Sequence, residues 1–220
     1  MTITKYIHSC LLLEKAGRQL LFDPGKFSFI EGLVDPSTFA GVSYIIITHD
    51  HPDHLDVNAL KQIVALSQAE VWSTEEVVEK LKPEGIAVQL IQEGNCQLGP
   101  FALQAISVSH EPILGDELPT MFAFLIDGSV LNVADSFSDR LLAYKGIELL
   151  MLPVTAPFLT ELSVASFTEA MQPKQIIPLH DGYIKPFFVT QRYDNYEPYF
   201  KKLSTVFHRL EQPGQSVSIG

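Results

Sequence analysis

Three apolar runs along the chain each deliver a histidine at their carboxyl end, and the runs between them alternate between the period of a strand and that of a helix. Ile3 to His8, Leu11 to Glu14 and Gln19 to Phe22 read as an antiparallel meander, turned at Lys15-Ala16-Gly17 and stopped at Asp23-Pro24-Gly25. Lys26 to Gly41 shows neither period and reads as a loop with an apolar side. The buried run Ser43 to Ile47 leads directly into Thr48-His49-Asp50-His51-Pro52-Asp53-His54. Val57 to Leu66 has apolar residues at 57, 60, 63, 64 and 66, the stripe of an amphipathic helix, and Thr74 caps a second helix over Glu75 to Leu81. Further strands are predicted at Ile86 to Ile91 and Phe101 to Ser109, with a turn at Glu93-Gly94-Asn95. Met121 to Ile126 and Val130 to Ala134 pair through Asp127-Gly128. Ile147 to Leu152 and Gln175 to Leu179 are buried strands around a helix from Val164 to Met171. Glu197 to Leu210 reads as a last amphipathic helix and Ser216 to Ile219 as a closing strand.

Composition narrows this picture. A chain of 220 residues with 46% hydrophobic content can bury one sizeable core, so a single domain over 1–220 is expected. It lacks a run of about 18 apolar residues, and no membrane partner is expected. The start, Met1 to Ile7, already alternates like a strand and has no basic region before an apolar one, which predicts a cytoplasmic protein. Cys10 and Cys96 lie in no paired motif and are expected to remain unpaired thiols. The net charge is −11, and the lysines and arginines form no cluster, so no nucleic-acid partner is expected.

The chemistry concentrates at the strand ends. Imidazole nitrogens and carboxylate oxygens are the donors that zinc and similar divalent ions take, and they need rigid support. In the extended turn after Ile47, His49 and His51 project to one side and can share an ion, while Asp53 and His54 can face a second. The alternative, helix caps and core-filling polar groups, would bury three imidazoles that repel one another when protonated. His110 follows the strand ending at Val108, and His180 follows the strand ending at Leu179. Asp135 ends the strand from Val130, where its other reading is a cap for a helix over Ser138 to Ala143. His8 alone reads as a hydrogen-bonded strand end, and His208 as a helix residue without a motif.

The order HxHxDH at 49–54, followed by His110, Ala134-Asp135-Ser136 and Pro178-Leu179-His180, resembles the metallo-β-lactamase superfamily of metal-dependent hydrolases. His8-Ser9 is similar to a His-Ser in its lactonase-like branch. The resemblance covers nearly the whole chain and implies an α/β fold, the four-layered αββα sandwich. It implies that His49, His51 and His110 hold one divalent ion, that Asp53, His54 and His180 hold another, and that Asp135 bridges them. Two ions per chain are therefore expected; Zn2+ suits the nitrogen-rich shell, with Mn2+ or Fe2+ compatible. Asp53 is the expected catalytic group, orienting a hydroxide or passing a proton to the leaving group, and His8, Tyr183 and Lys185 are candidates for substrate contact.

The expected function is hydrolysis of an ester, lactone or similar bond in a small molecule by a hydroxide between two divalent ions. A small phosphodiester is the second choice, and a non-catalytic metal-binding protein the alternative outside enzymology. Asp135 stands where common class B β-lactamases have cysteine, the chain after His180 is too short for the helical domain of glyoxalase II, and no basic arm suits an RNase Z-like nuclease. The apolar stretches Lys26 to Gly41 and Thr155 to Leu162, with Phe187 and Phe188, are predicted to wall the substrate pocket.

Overall fold

In a computed structural model, which describes residues 1–115 and 117–220, two seven-stranded sheets pack face to face with helices on both outer faces. The first sheet holds β1 (Thr2–Lys5), β2 (Leu11–Lys15), β3 (Arg18–Phe22), β4 (Tyr44–Ile46), β5 (Glu70–Ser73) and β6 (Val88–Leu90). The second holds β7 (Gly94–Leu98), β8 (Phe101–Val108), β9 (Met121–Ile126), β10 (Val130–Asn132), β11 (Leu149–Pro153), β12 (Gln175–Leu179) and β13 (Val206–Phe207). The chain then returns to the first sheet, where β14 (Gln215–Ser218) pairs antiparallel with β1.

Each sheet begins antiparallel and continues parallel, from β3 to β6 in one and from β10 to β13 in the other. Parallel neighbours need crossover connections. The chain supplies them as α2 (Val57–Ser67) and α3 (Glu75–Leu81) on one side, and α4 (Glu161–Met171) and α5 (Pro186–Lys202) on the other; α1 (Lys26–Phe29) is a single turn after β3. The period of two assigns the faces. In β9, Phe122 and Phe124 enter the core between the sheets, while Met121 and Ala123 meet the helices. In β4, Ile46 faces the inner core and Ile45 packs under α2 and α3. The expected αββα layering is present, and it gathers the carboxyl ends of the parallel strands along one rim, where ligands of open α/β sheets bind.

Three stretches differ from their predicted form. Lys26 to Gly41 is not irregular: it folds into α1 and two 3₁₀ turns, Ile30–Gly32 and Pro36–Phe39, because Val34 and Phe39 are drawn into the core beneath α2. The last helix runs over 186–202 rather than 197–210. It accommodates Pro198 because Tyr193, Tyr196 and Phe200 form one buried stripe against the second sheet. His208 consequently lies beyond the helix, with Nε2 at 2.8 Å from Gln175 Oε1. Gly94 and Asn95 belong to β7 instead of a turn, and the hairpin turns at Gly99 and Pro100. Position 116 lies outside the described residues.

Beneath the rim sits a buried charge. Lys5, 2% exposed, reaches Asp181 Oδ2 at 2.5 Å and donates to the Leu210 carbonyl at 3.2 Å, while the Tyr193 hydroxyl donates to the same carboxylate. A buried carboxylate is tolerated only when paired and hydrogen-bonded in this way. The network anchors the segment directly after His180.

Candidate metal centre

Five strand ends converge on the rim: β3 supplies Asp23, β4 the turn from His49 to His54, β8 His110, β10 Asp135 and β12 His180. Two groups of donor atoms result. His49, His51, His110 and Asp135 lie within 4.8 Å of one another in one group, and His8, Asp53, His54 and His180 do so in the other. Either group could hold a metal ion. Asp135 lies between them, with Oδ2 at 3.9 Å from His49 Nε2, 3.4 Å from His110 Nε2, 3.3 Å from His54 Nε2 and 3.1 Å from His180 Nε2.

The imidazoles are aimed by partners on their far side. His110 Nδ1 donates to the Glu111 carbonyl at 2.6 Å, and His180 Nδ1 to that of Thr155 at 2.8 Å. His54 Nδ1 donates to Asp23 Oδ2 at 2.9 Å. Thr48 gives its backbone N–H to Asp23 Oδ1 at 2.7 Å and its hydroxyl to Oδ2 at 2.9 Å, which leaves the hydroxyl oxygen to accept from His49 Nδ1 at 3.0 Å. Each of these four rings thus spends its Nδ1 proton outward and turns Nε2 inward, so that its neutral form is the tautomer a metal ligand needs. His49 Nε2 and His51 Nδ1 stand 3.0 Å apart, facing each other.

That arrangement leaves His54 Nε2, His110 Nε2 and Asp135 Oδ1 buried without hydrogen-bond partners. Unpaired groups of this kind each cost about 1–3 kcal/mol, a cost that cations held by the two donor groups would remove. The donor set fits a divalent ion that accepts nitrogen and oxygen together.

The charges are mutually adjusted. Burial would lower the His180 pKa, but the Asp135 carboxylate outweighs it and holds the ring up at about 9. Burial likewise opposes charge on His54, yet Asp135 and Asp23 raise it well above the ordinary histidine range. His49 goes the other way, pushed well down by burial and by repulsion from His54. Burial disfavours the Asp135 carboxylate, but His180 and His54 hold its pKa well below the usual range.

Backbone strain accompanies the delivery of these groups. Asp23, Ala134 and His180 have φ of 45°, 49° and 67°, left-handed values that cost an L-residue about 1–2 kcal/mol each. Such strain persists where surrounding structure over-determines it. Here each residue is the point at which a strand end bends to aim a side chain.

Asp23 is the one clear member that sequence reading passed over, taking it only as the end of a strand. Its signal was the Asp-Pro-Gly stop after an apolar run, but the partner, His54, is 31 residues away. Asp50, inside the histidine-rich turn, points outward to Lys80 at 2.5 Å. His8, 1% exposed, sits behind the site against Phe27 and His180, with ring centroids at 5.0 and 3.9 Å. Tyr183 is at the edge, its ring 6.0 Å from that of His180 and its hydroxyl 2.7 Å from Thr155 Oγ1. Lys185 is exposed at the start of α5 and, among the described residues, makes no ion pair with the cluster.

A cavity of about 320 Å³ opens onto His51, Asp53, His110, Asp135 and His180. Its apolar lip is Pro112, Ile113 and Leu114 on one side and Pro157 and Phe158 on the other. Of the three walls expected, the Thr155 to Leu162 stretch alone contributes among the described residues. Lys26 to Gly41 instead supports His8 through Phe27, and Phe188 lies under the Arg192 guanidinium at 5.1 Å. No lysine or arginine lines the cavity among the described residues.

A family model described as beta-lactamase superfamily domain matches residues 2–180, a span that contains all five strand ends. Protein Rv0786c of Mycobacterium tuberculosis is 29% identical over 197 residues, covering 84% of this chain and 86% of that protein. A UPF0173 metal-dependent hydrolase of Opitutus terrae is 29% identical, with 82% of this chain and 84% of that one covered. Among solved structures, the metallo-beta-lactamase fold protein YhfI from Bacillus subtilis has a TM-score of 0.71 at 18% identity, covering 98% of both chains, and shares the fold. By the extent of the family match, the chain belongs to the beta-lactamase superfamily.

Proposed function

We propose that this protein is a metal-dependent hydrolase that cleaves an ester or lactone bond in a small, partly apolar molecule. The observation that carries the reading is the set of inward-facing, unpartnered donors on His54, His110 and Asp135 at the floor of an apolar-lipped cavity. The printed description of the Opitutus relative, metal-dependent hydrolase, supports it. In this reading His49, His51 and His110 hold one ion, Asp53, His54 and His180 a second, and Asp135 bridges, with zinc as the ion that suits the shell. Bound ions there would supply a water acidified to near neutral pH and a Lewis-acid contact for the substrate's carbonyl oxygen.

The chain's own residues do the rest. In this reading Asp53, 23% exposed at the cavity, takes a proton and returns it to the leaving oxygen. Phe158 packs its ring against His110 and His180, at 5.2 and 5.7 Å, and with Leu114 removes the apolar part of a substrate from water. The absence of a cationic side chain from the described lining favours an uncharged acyl group over a phosphodiester, whose anionic oxygens call for one. The shared inner core of the two sheets supports treating 1–220 as one folding unit. The free thiols Cys10 and Cys96 suit a cytoplasmic setting.

The test combines metal analysis with turnover of an aryl ester, an acyl lactone, bis-nitrophenyl phosphate and single-stranded RNA, before and after chelation. Metal-dependent turnover should be highest on the ester or the lactone. Salt-sensitive cleavage of RNA alone would overturn the reading, and preference for the phosphate would shift it to the phosphodiester.

Metal loading should also release protons. The Asp135 carboxylate holds His180 up at about 9, so at pH 7.5 it carries a proton that a metal must displace, and His54 is raised in the same direction by Asp135 and Asp23. Release of at least one proton per chain is expected, and metal affinity should fall as pH drops below about 9, where the His180 proton competes. Calorimetric titration in buffers of different ionisation enthalpy measures this; a binding heat independent of buffer would contradict it.

A further inference from the structure

His8 falls by distance among the donors of the second group, yet its ring is wired in the opposite sense to its neighbours. The backbone N–H of Gly182 donates to His8 Nδ1 at 3.0 Å. A backbone amide has only a proton to offer, so Nδ1 must accept, and in the neutral ring the proton sits on Nε2. That Nε2 is 3.1 Å from Asp53 Oδ2. The close approach of Gly182 is built in, because a Cβ there would lie 2.9 Å from His8 Cβ and 2.7 Å from Ile7 Cγ2. In their neutral forms His49, His54, His110 and His180 each keep the Nδ1 proton outward and present a lone pair on Nε2 inward, whereas neutral His8 carries its proton on the inward Nε2.

We propose that His8 is a positioning residue, not a metal ligand: it donates from Nε2 to Asp53 and holds that carboxylate toward His54 and His180. The proposal rests on the reading of Asp53, His54 and His180 as the second metal site. It follows from the hydrogen-bond directions, and from the seating of His8 on the His180 ring, with which it shares a backbone contact from His180 N–H to the His8 carbonyl at 3.3 Å. At 1% exposure His8 acts through Asp53 and does not touch substrate.

Two conservative variants separate the two bonds. Glutamine can place its amide N–H₂ near Nε2 and keep the donor to Asp53, whereas asparagine can place its carbonyl near Nδ1 and keep only the acceptor for Gly182. Backbone strain predicts the reverse order of tolerance, since His8 has φ of 65°, a conformation asparagine adopts more readily than glutamine. We expect His8→Gln to hold the second ion within about fivefold of the parent affinity in a chelator competition, and His8→Asn to weaken it about 10–100-fold, the range of a lost partner behind a ligand. Long-range 1H–15N spectra of the cadmium-loaded parent should show His8 protonated at Nε2 and uncoupled to 113Cd. Cadmium coupling at His8 Nε2, or equal loss in both variants, would overturn the proposal in favour of a ligand. A better-behaved asparagine variant would overturn it in favour of backbone strain. A parent chain that binds no second ion would instead overturn the underlying site reading, while the ring's protonation in the metal-free chain would still decide the donor direction.

Discussion

Asp135→Asn is expected to lower metal-dependent turnover by about 10³-fold, equivalent to about 4 kcal/mol of transition-state stabilisation, while the protein stays folded. The carboxylate is 2% exposed and faces imidazoles of both donor groups, with His180 and His54 nearest. An amide keeps its shape but removes the negative charge that offsets whatever cation occupies the floor, and turns an N–H₂ toward lone pairs. The local backbone has independent support: the Glu111 N–H donates to the Asp135 carbonyl at 2.9 Å, and Phe137 N–H to Glu111 Oε1 at 2.8 Å. Helix capping is not its task, because Ser138 caps the 3₁₀ turn Asp139–Tyr144 through Arg140 N–H. The measurements are kcat/KM with the preferred ester, metal content per chain and thermal unfolding. Parent-like turnover with parent-like metal content would mean that Asp135 only terminates β10.

Gly25→Ala should damage both stability and the site. Gly25 has φ of −87° and ψ of 166°, an extended conformation open to any residue, so the penalty is one of space. An added Cβ would lie 1.7 Å from the Asp53 carbonyl oxygen and 2.7 Å from His54 N, both backbone atoms. The two loops cannot simply part, since Lys26 N–H donates to the Pro52 carbonyl at 2.9 Å and Asp56 N–H to that of Pro24 at 3.0 Å. Relieving the clash requires a shift of more than about an ångström, with a cost of about 3 kcal/mol. At this chain length that corresponds to a fall in Tm of about 6–12 °C. The shift moves Asp53 and His54 together, and a misplacement of about 1 Å can cost 10²-fold in rate. Gly17→Ala is the control: at φ of 73° with nothing within 4 Å it should cost about 1 kcal/mol and leave metal content unchanged. Equal Tm and metal content in both variants would refute the close-approach argument.

What the sequence alone determined about this protein is what is local. A short apolar run that stops at a polar cluster announces a strand end and the side chains it exposes, and this holds for Ile47 before His49, Val108 before His110 and Leu179 before His180. Such runs, alternating along the chain with the amphipathic stripe at Val57 to Leu66, were enough for the layered α/β fold. Asp135 and the His49 to His54 turn could be nominated because their donors are contiguous with such runs. What only the tertiary structure decided is which distant atoms meet and which way they point. Asp23 stands behind His54 across 31 residues, and Gly182 meets His8 across 174, so neither the tautomer of a ring nor its role can be read from its neighbours in the chain. The conformation of Lys26 to Gly41 and the helix through Pro198 were settled by burial of Phe39 and Phe200, whose partners lie on other elements. The cavity wall was decided in the same way. Phe158 lines it and Phe187 does not, although both are aromatic residues in segments flanking the last strands, because a pocket is made by packing between segments and not by their composition.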